Sequence, residues 1–192
     1  MNLPNKLSLT RIILIPFFIF FYLASFIPFG KIIAIAIFIV ASVTDMLDGK
    51  IARKYNLVTN LGKLLDPIAD KLLVVSGLLL VVVDYTIPHP AGVIIAIIII
   101  GRELLISAFR QIAASKNFVM AADIYGKMKT ITQVIALPLL FLLSYLTYNI
   151  ETNQTVLLIV KIVAFVMIGI ATALTVLSGA NYIIKNKDVL KG

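Results

Sequence analysis

Residues 45–70 read DMLDGKIARKYNLVTNLGKLLDPIAD and hold four of the chain's nine acidic residues: Asp45, Asp48, Asp66 and Asp70. The flanks are apolar, IIAIAIFIVASV before (residues 32–43) and KLLVVSGLLLVVV after (residues 71–83). A carboxylate near a bilayer centre costs about 2.5–3.5 kcal/mol, so four of them need partners or a water-filled cavity. Asp45 and Asp48 are three apart and Asp66 and Asp70 four apart, which puts each pair on one face of a helix. A short turn between the two helices makes them antiparallel neighbours whose carboxylates converge. Left alone, such a cluster would repel and take up protons. One or two divalent cations resolve this, and all-oxygen ligation favours hard ions such as Mg²⁺ or Mn²⁺, with Ca²⁺ also admissible. The plainer alternative is a set of structural ion pairs with Lys50, Arg53, Lys63 and Lys71. Gly49 and Gly62, with Ala52, would let a ligand approach the backbone, or would simply pack helices closely.

Around this stretch, the 192 residues are 61% hydrophobic and 14% charged, with a mean hydropathy of +1.07. A water-soluble chain of this length cannot hide that much apolar surface. The reading is an all-α polytopic membrane protein of six transmembrane helices, forming one domain over residues 1–192. The expected spans are residues 7–26, 31–55, 61–85, 92–115, 127–148 and 155–184, with residues 4–8 as a short juxtamembrane segment. Pro28, the Pro88-His89-Pro90 turn and residues 149–154 punctuate them. The first span has no small-residue cleavage site and reads as a retained helix. No cysteine is present, which excludes disulfides, thiolate ligands and thiol nucleophiles.

The net charge of +8 reads as topology signalling and attraction to anionic lipid heads, not nucleic-acid binding. Lys6 and Arg11, then Arg53, Lys54 and Lys63, then Arg110, Lys116, Lys127 and Lys129, then Lys185, Lys187 and Lys191 mark alternate ends of the spans. The intervening connections hold Lys31, Asp84, His89 and Glu151 and are poor in Lys and Arg. This alternation places both termini and the aspartates on the cytoplasmic side. His89 reads as a loop residue, Asp84 and Glu151 as outer caps or loop charges, and Tyr55, Tyr85 and Tyr148 as interfacial anchors.

From Asp45 to Asp70 the sequence follows D-x2-D-G-x2-A-R-x8-G-x3-D-x3-D with every fixed position present. This resembles the signature of the CDP-alcohol phosphotransferases. PNKLSLTRIILIP, LGKLLDPIADKLLV, GRELLISAFR and YGKMKT extend the resemblance to most of the chain between Pro4 and Leu137. They are similar to the bacterial branch of the family that uses glycerol 3-phosphate, with Tyr125 where a tryptophan is usual. The resemblance implies a homodimeric six-helix fold in the bacterial cell membrane. It also implies two divalent cations, Mg²⁺ or Mn²⁺, with Asp45 and Asp66 touching both and Asp48 and Asp70 completing one each. Asp70 is implied as the general base, and Asn5, Ser8, Gly49, Ala52, Arg53 and Thr59 as CDP-lipid contacts. The implied reaction joins CDP-diacylglycerol to sn-glycerol 3-phosphate, giving phosphatidylglycerophosphate and CMP.

An acceptor that carries a phosphate needs a second anion site. Arg102, Arg110, Lys127 and Lys129 are the candidates; Arg102 and Arg110 are eight apart and share a helix face. The alternative is that Lys127 and Lys129 are interface anchors and that Arg102 pairs with Glu103. Other acceptors (inositol phosphate, serine, choline, phosphatidylglycerol) stay open, as does a different class, a small cation transporter, because intramembrane aspartates also line ion pathways. A structural membrane subunit would leave the aspartates unexplained.

Overall fold

A computed structural model of the chain describes residues 3–54, 60–115, 124–148 and 153–186. It is built of six helices: α1 (Leu3–Leu23), α2 (Gly30–Lys54), α3 (Asn60–Val83), α4 (Ala91–Ser115), α5 (Ile124–Thr147) and α6 (Gln154–Lys185). The described residues include no strand. The shortest helix, α1, has 21 residues and is long enough for the hydrocarbon layer at a rise of about 1.5 Å per residue. α1, α4, α5 and α6 are long and apolar enough to cross a membrane by length and composition. α2 and α3 carry the charged stretch at their adjoining ends. Phe17, Phe20, Ile97, Val166 and Leu177 are exposed, an outward apolar surface of the kind lipid covers. The molecule is an all-α polytopic membrane protein.

Boundaries agree with the expected spans to within a few residues, and the largest differences have local causes. Residues 4–8 are not set apart from the first span: α1 runs through them without a break, because Pro4 sits in the first turn, where no intrahelical amide is required. This puts Asn5, Ser8, Arg11, Ile15, Phe18 and Tyr22 on one buried stripe at steps of three and four residues. The stripe is polar at its start and apolar after. Pro16 and Pro138 stay inside helices, as neighbouring elements allow in membrane bundles.

α1 packs along both α2 and α3, more closely than those two pack on each other. α5 and α6 form the longest seam, α2 lies against α5, and α4 bridges α3 and α6. The seam follows from sequence. On α6 the buried residues Ala164, Ile168, Ala171, Thr175, Ser178 and Tyr182 advance by alternating steps of four and three. On α5 Lys129, Gln133, Ala136, Leu140 and Leu143 do the same. That period near 3.5 keeps one face of each helix on its neighbour, and the alanines let the backbones approach.

The rings of Phe18, Phe38 and Phe141 meet at the centre, with centroids 5.3–5.5 Å apart. Gly77 of α3 faces this cluster: a Cβ there would sit 3.2 Å from Phe141 Cζ and 3.3 Å from Leu137 Cδ1. Gly77→Val is therefore expected to overpack the centre and destabilise the bundle by about 1–3 kcal/mol. Gly101→Ala, where a Cβ meets nothing within 4 Å, should be neutral or mildly stabilising. Thermal unfolding in detergent compares the two; equal melting temperatures would contradict the packing.

At the end of the bundle remote from Asp45, a polar knot ties four elements. Lys31 Nζ of α2 donates to Asp84 Oδ2 at 2.7 Å and to Ser144 Oγ at 2.5 Å. Tyr22 OH donates to the same carboxylate oxygen at 3.0 Å, and Ser144 Oγ also donates to it. The ammonium lies 4.6 Å from the Tyr148 ring centroid and 5.1 Å from that of Tyr22. Asp84, expected as an outer cap or loop charge, is the hub of this knot. His89 does lie in the α3–α4 turn, exposed beside Tyr85.

Candidate active site

The buried stripe of α1 carries the first functional side chain. Arg11 is 1% exposed, and its Nη1 donates to Asp45 Oδ1 of α2 at 2.5 Å. Asp45 thus has a cationic neighbour from α1, Arg11. A carboxylate has two oxygens and about four lone-pair directions, so one arginine contact is compatible with metal ligation.

Asp70, on α3, feels the charges of Asp45, Glu103, Lys129 and Arg11. Side chains from five helices therefore bear on one point. Asp70 also lines a cavity of about 20 Å³ whose polar wall includes Glu103, Lys129 and Gln133 and whose apolar wall includes Val74 and Ile99. Asp45 and Asp70 come from the two aspartate pairs and lie within electrostatic reach of each other.

A second cluster stands beside it. Glu103 of α4 accepts from Lys129 Nζ of α5 and, at 3.0 Å, from Arg102 Nη1. Arg102 Nη2 donates to Ser178 Oγ of α6 at 2.6 Å. Two cations share one carboxylate oxygen, so the trio keeps one net positive charge. The lysine side chain is 4% exposed and the arginine 12%. Two glycines make room for the guanidinium. A Cβ on Gly179 would lie 3.3 Å from Arg102 Cγ, and one on Gly126 would lie 3.3 Å from Ser178 Oγ and 3.5 Å from Arg102 Nη2.

The expected site residues divide accordingly. Asn5 and Ser8 are buried on α1, on the same stripe as Arg11. Arg102 and Lys129 meet at Glu103, so the expected alternative pairing of Arg102 is present. Arg110 donates from Nε to Tyr182 OH at 3.1 Å and lies over that ring at 5.6 Å. Lys127 is exposed, and two residues from Lys129 it occupies a different face of α5. The side chains of Asp48, Gly49, Ala52, Arg53 and Asp66 lie outside the described residues, as does Thr59 altogether. Among the described residues no three metal-ligating side chains gather. The two described aspartates supply hard carboxylate oxygens without sulfur or imidazole, a donor set suited to a hard divalent cation.

The sequence reading missed Arg11 as a partner, Glu103 as a hub, and Gln133, Ser178 and Tyr182. Glu103 was within reach, since the rule that singles out intramembrane aspartates applies to it equally.

The family model for CDP-alcohol phosphatidyltransferase matches residues 1–177. The chain belongs to the CDP-alcohol phosphatidyltransferase family. A Bacillus subtilis (strain 168) protein named CDP-diacylglycerol–glycerol-3-phosphate 3-phosphatidyltransferase is 40% identical over 201 residues, covering 99% of this chain and 97% of its own. Proteins of the same name from Rickettsia bellii and Escherichia coli K12 are 36% and 44% identical, over 94% and 71% of this chain and 93% and 74% of theirs. As a CDP-alcohol phosphatidyltransferase the protein is a membrane-bound transferase of phospholipid synthesis, in a family generally dependent on divalent cations.

Proposed function

We propose that the protein transfers the phosphatidyl group of CDP-diacylglycerol to the 1-hydroxyl of sn-glycerol 3-phosphate, releasing CMP. The observation that carries this reading is that Asp70, within electrostatic reach of Asp45, shares a cavity with Glu103 and Lys129 of a cluster with surplus positive charge. The carboxylates suit the diphosphate through metal, and the cations suit an acceptor that brings its own phosphate. The name shared by the relatives supports the same acceptor.

In this scheme Asp45, Asp48, Asp66 and Asp70 would hold two divalent cations, Mg²⁺ or Mn²⁺, whose chemistry would be neutralisation of charge on the diphosphate. Asn5, Ser8, Gly49, Ala52, Arg53 and Thr59 hold the CDP-lipid. Arg11 fixes the orientation of Asp45 through their ion pair. Asp70 accepts the proton of the glycerol 1-hydroxyl as its oxygen bonds to the lipid-bearing phosphorus and the bond from that phosphorus to the CMP oxygen breaks. Arg102, Arg110 and Lys129 hold the acceptor phosphate, with Lys127 at the mouth. The site faces the cytoplasm of a bacterial cell with both termini on that side, and the working unit is a homodimer.

Purified protein in detergent with CDP-diacylglycerol, glycerol 3-phosphate and Mg²⁺ is expected to release CMP, and chelation of the metal to stop it. Release with serine, inositol phosphate or phosphatidylglycerol but not with glycerol 3-phosphate would overturn the acceptor. Silence across the whole panel would overturn the reaction and favour ion transport.

A further inference from the structure

Gln133 lies on α5 one turn beyond Lys129, on the same face and deeper in the bundle. It is 2% exposed, and its Nε2 has no hydrogen-bond partner. A buried amide donor left unmatched is costly, and native structures keep one mainly where something else comes to meet it. Lys129 and Glu103 are committed to each other and Glu103 to Arg102. The cavity lining also includes Val74, Leu78 and Ile99, whose side chains offer no polar atom.

The cavity that Gln133 lines also reaches Asp70, and its volume of about 20 Å³ limits the occupant. That is room for one water-sized group and not for a whole ligand. A phosphate is too large for it. A single hydroxyl on carbon fits: the carbon rests on the apolar wall and the oxygen meets the amide. Hydroxyl groups both donate and accept, which suits a side-chain amide whichever of its ends is presented.

We propose that Gln133 is a specificity-determining residue that binds the non-reacting secondary hydroxyl of the acceptor alcohol, holding the adjacent primary hydroxyl toward Asp70. This rests on the acceptor reading above. A polar group buried in an apolar wall discriminates strongly against an acceptor that lacks its partner, because the amide then stays unmatched. Gln133 thus selects a 1,2-diol phosphate over a simple hydroxyalkyl phosphate.

The test pairs a deletion on the substrate with one on the protein. Glycerol 3-phosphate and 3-hydroxypropyl phosphate, which lacks only the secondary hydroxyl, are compared on the full-length protein and on Gln133→Met, which keeps length and removes the amide. The unaltered protein is expected to favour glycerol 3-phosphate by at least about tenfold in kcat/KM. Gln133→Met should lose about that factor with glycerol 3-phosphate and stay within about twofold with the analogue, so that the preference collapses. Its KM for CDP-diacylglycerol and its melting temperature should not worsen, since no protein hydrogen bond is removed. Should that variant fail to fold, Gln133→Asn withdraws the amide by one methylene and should cut the preference in the same direction. Equal use of both acceptors by the unaltered protein, as with a resident water only, would overturn the inference. So would an equal loss on both acceptors in the variant. No CMP release from glycerol 3-phosphate by the unaltered protein would instead refute the acceptor reading, and this inference with it.

Discussion

Asp70→Asn is expected to lower CMP release by at least about 10³-fold while leaving the bundle folded. The change keeps shape and hydrogen-bonding capacity but removes the charge on which both of this residue's proposed roles depend. The cations whose charge it feels, Lys129 and Arg11, are already bound elsewhere, to Glu103 and Asp45. Among the described residues no direct ion pair ties Asp70 into the fold. Neutralising it therefore removes reactivity without releasing a buried counter-charge, and melting temperature and helical circular dichroism should stay near those of the unaltered protein. Turnover retained to within tenfold at saturating substrates would remove Asp70 from the base and metal roles together.

Glu103→Gln should have the opposite profile, with stability lost first. The carboxylate is the common partner of Lys129 and Arg102, whose side chains are almost entirely shielded from solvent. Removing one member of a buried ion cluster leaves the others charged and unmatched, at a cost of about 3–5 kcal/mol. Here Glu103 is itself 20% exposed, so the lower end, about 3 kcal/mol, is expected. The double change Glu103→Gln with Lys129→Met should recover most of that loss, because the second substitution removes the stranded ammonium. Thermal unfolding in detergent of the two single variants and the double variant reads this directly. Additive losses would mean that Glu103 and Lys129 are not energetically coupled.

The fold was legible because each helix writes its buried face in steps of three and four, and the breaks fall at Pro28 and at the Pro88–Pro90 turn. The differences lie at helix starts. α5 begins at Ile124, ahead of the Lys127 at which its span is expected to start, and α1 runs without a break through residues 4–8, expected as a short juxtamembrane segment. In the site, that Asp45 and Asp70 fall within electrostatic reach of each other could be foreseen from spacing on consecutive helices. Their surroundings could not. Arg11 reaches Asp45 only because α1 wedges along both α2 and α3, an arrangement set by tertiary packing and invisible to local pattern. Ser178 and Tyr182 join the basic cluster for the same reason, through contact of α4 and α5 with α6.

The knot of Tyr22, Lys31, Asp84 and Ser144 fastens the ends of four elements to one carboxylate, at the pole opposite the reacting groups. A bundle riveted at one pole can spread only at the other, like tongs. A widening of those four elements would then pivot about Asp84, and small angular changes there would become the largest displacements beside Asp45. Loosening the rivet would leave every reacting group in place and still change how readily lipid comes and goes.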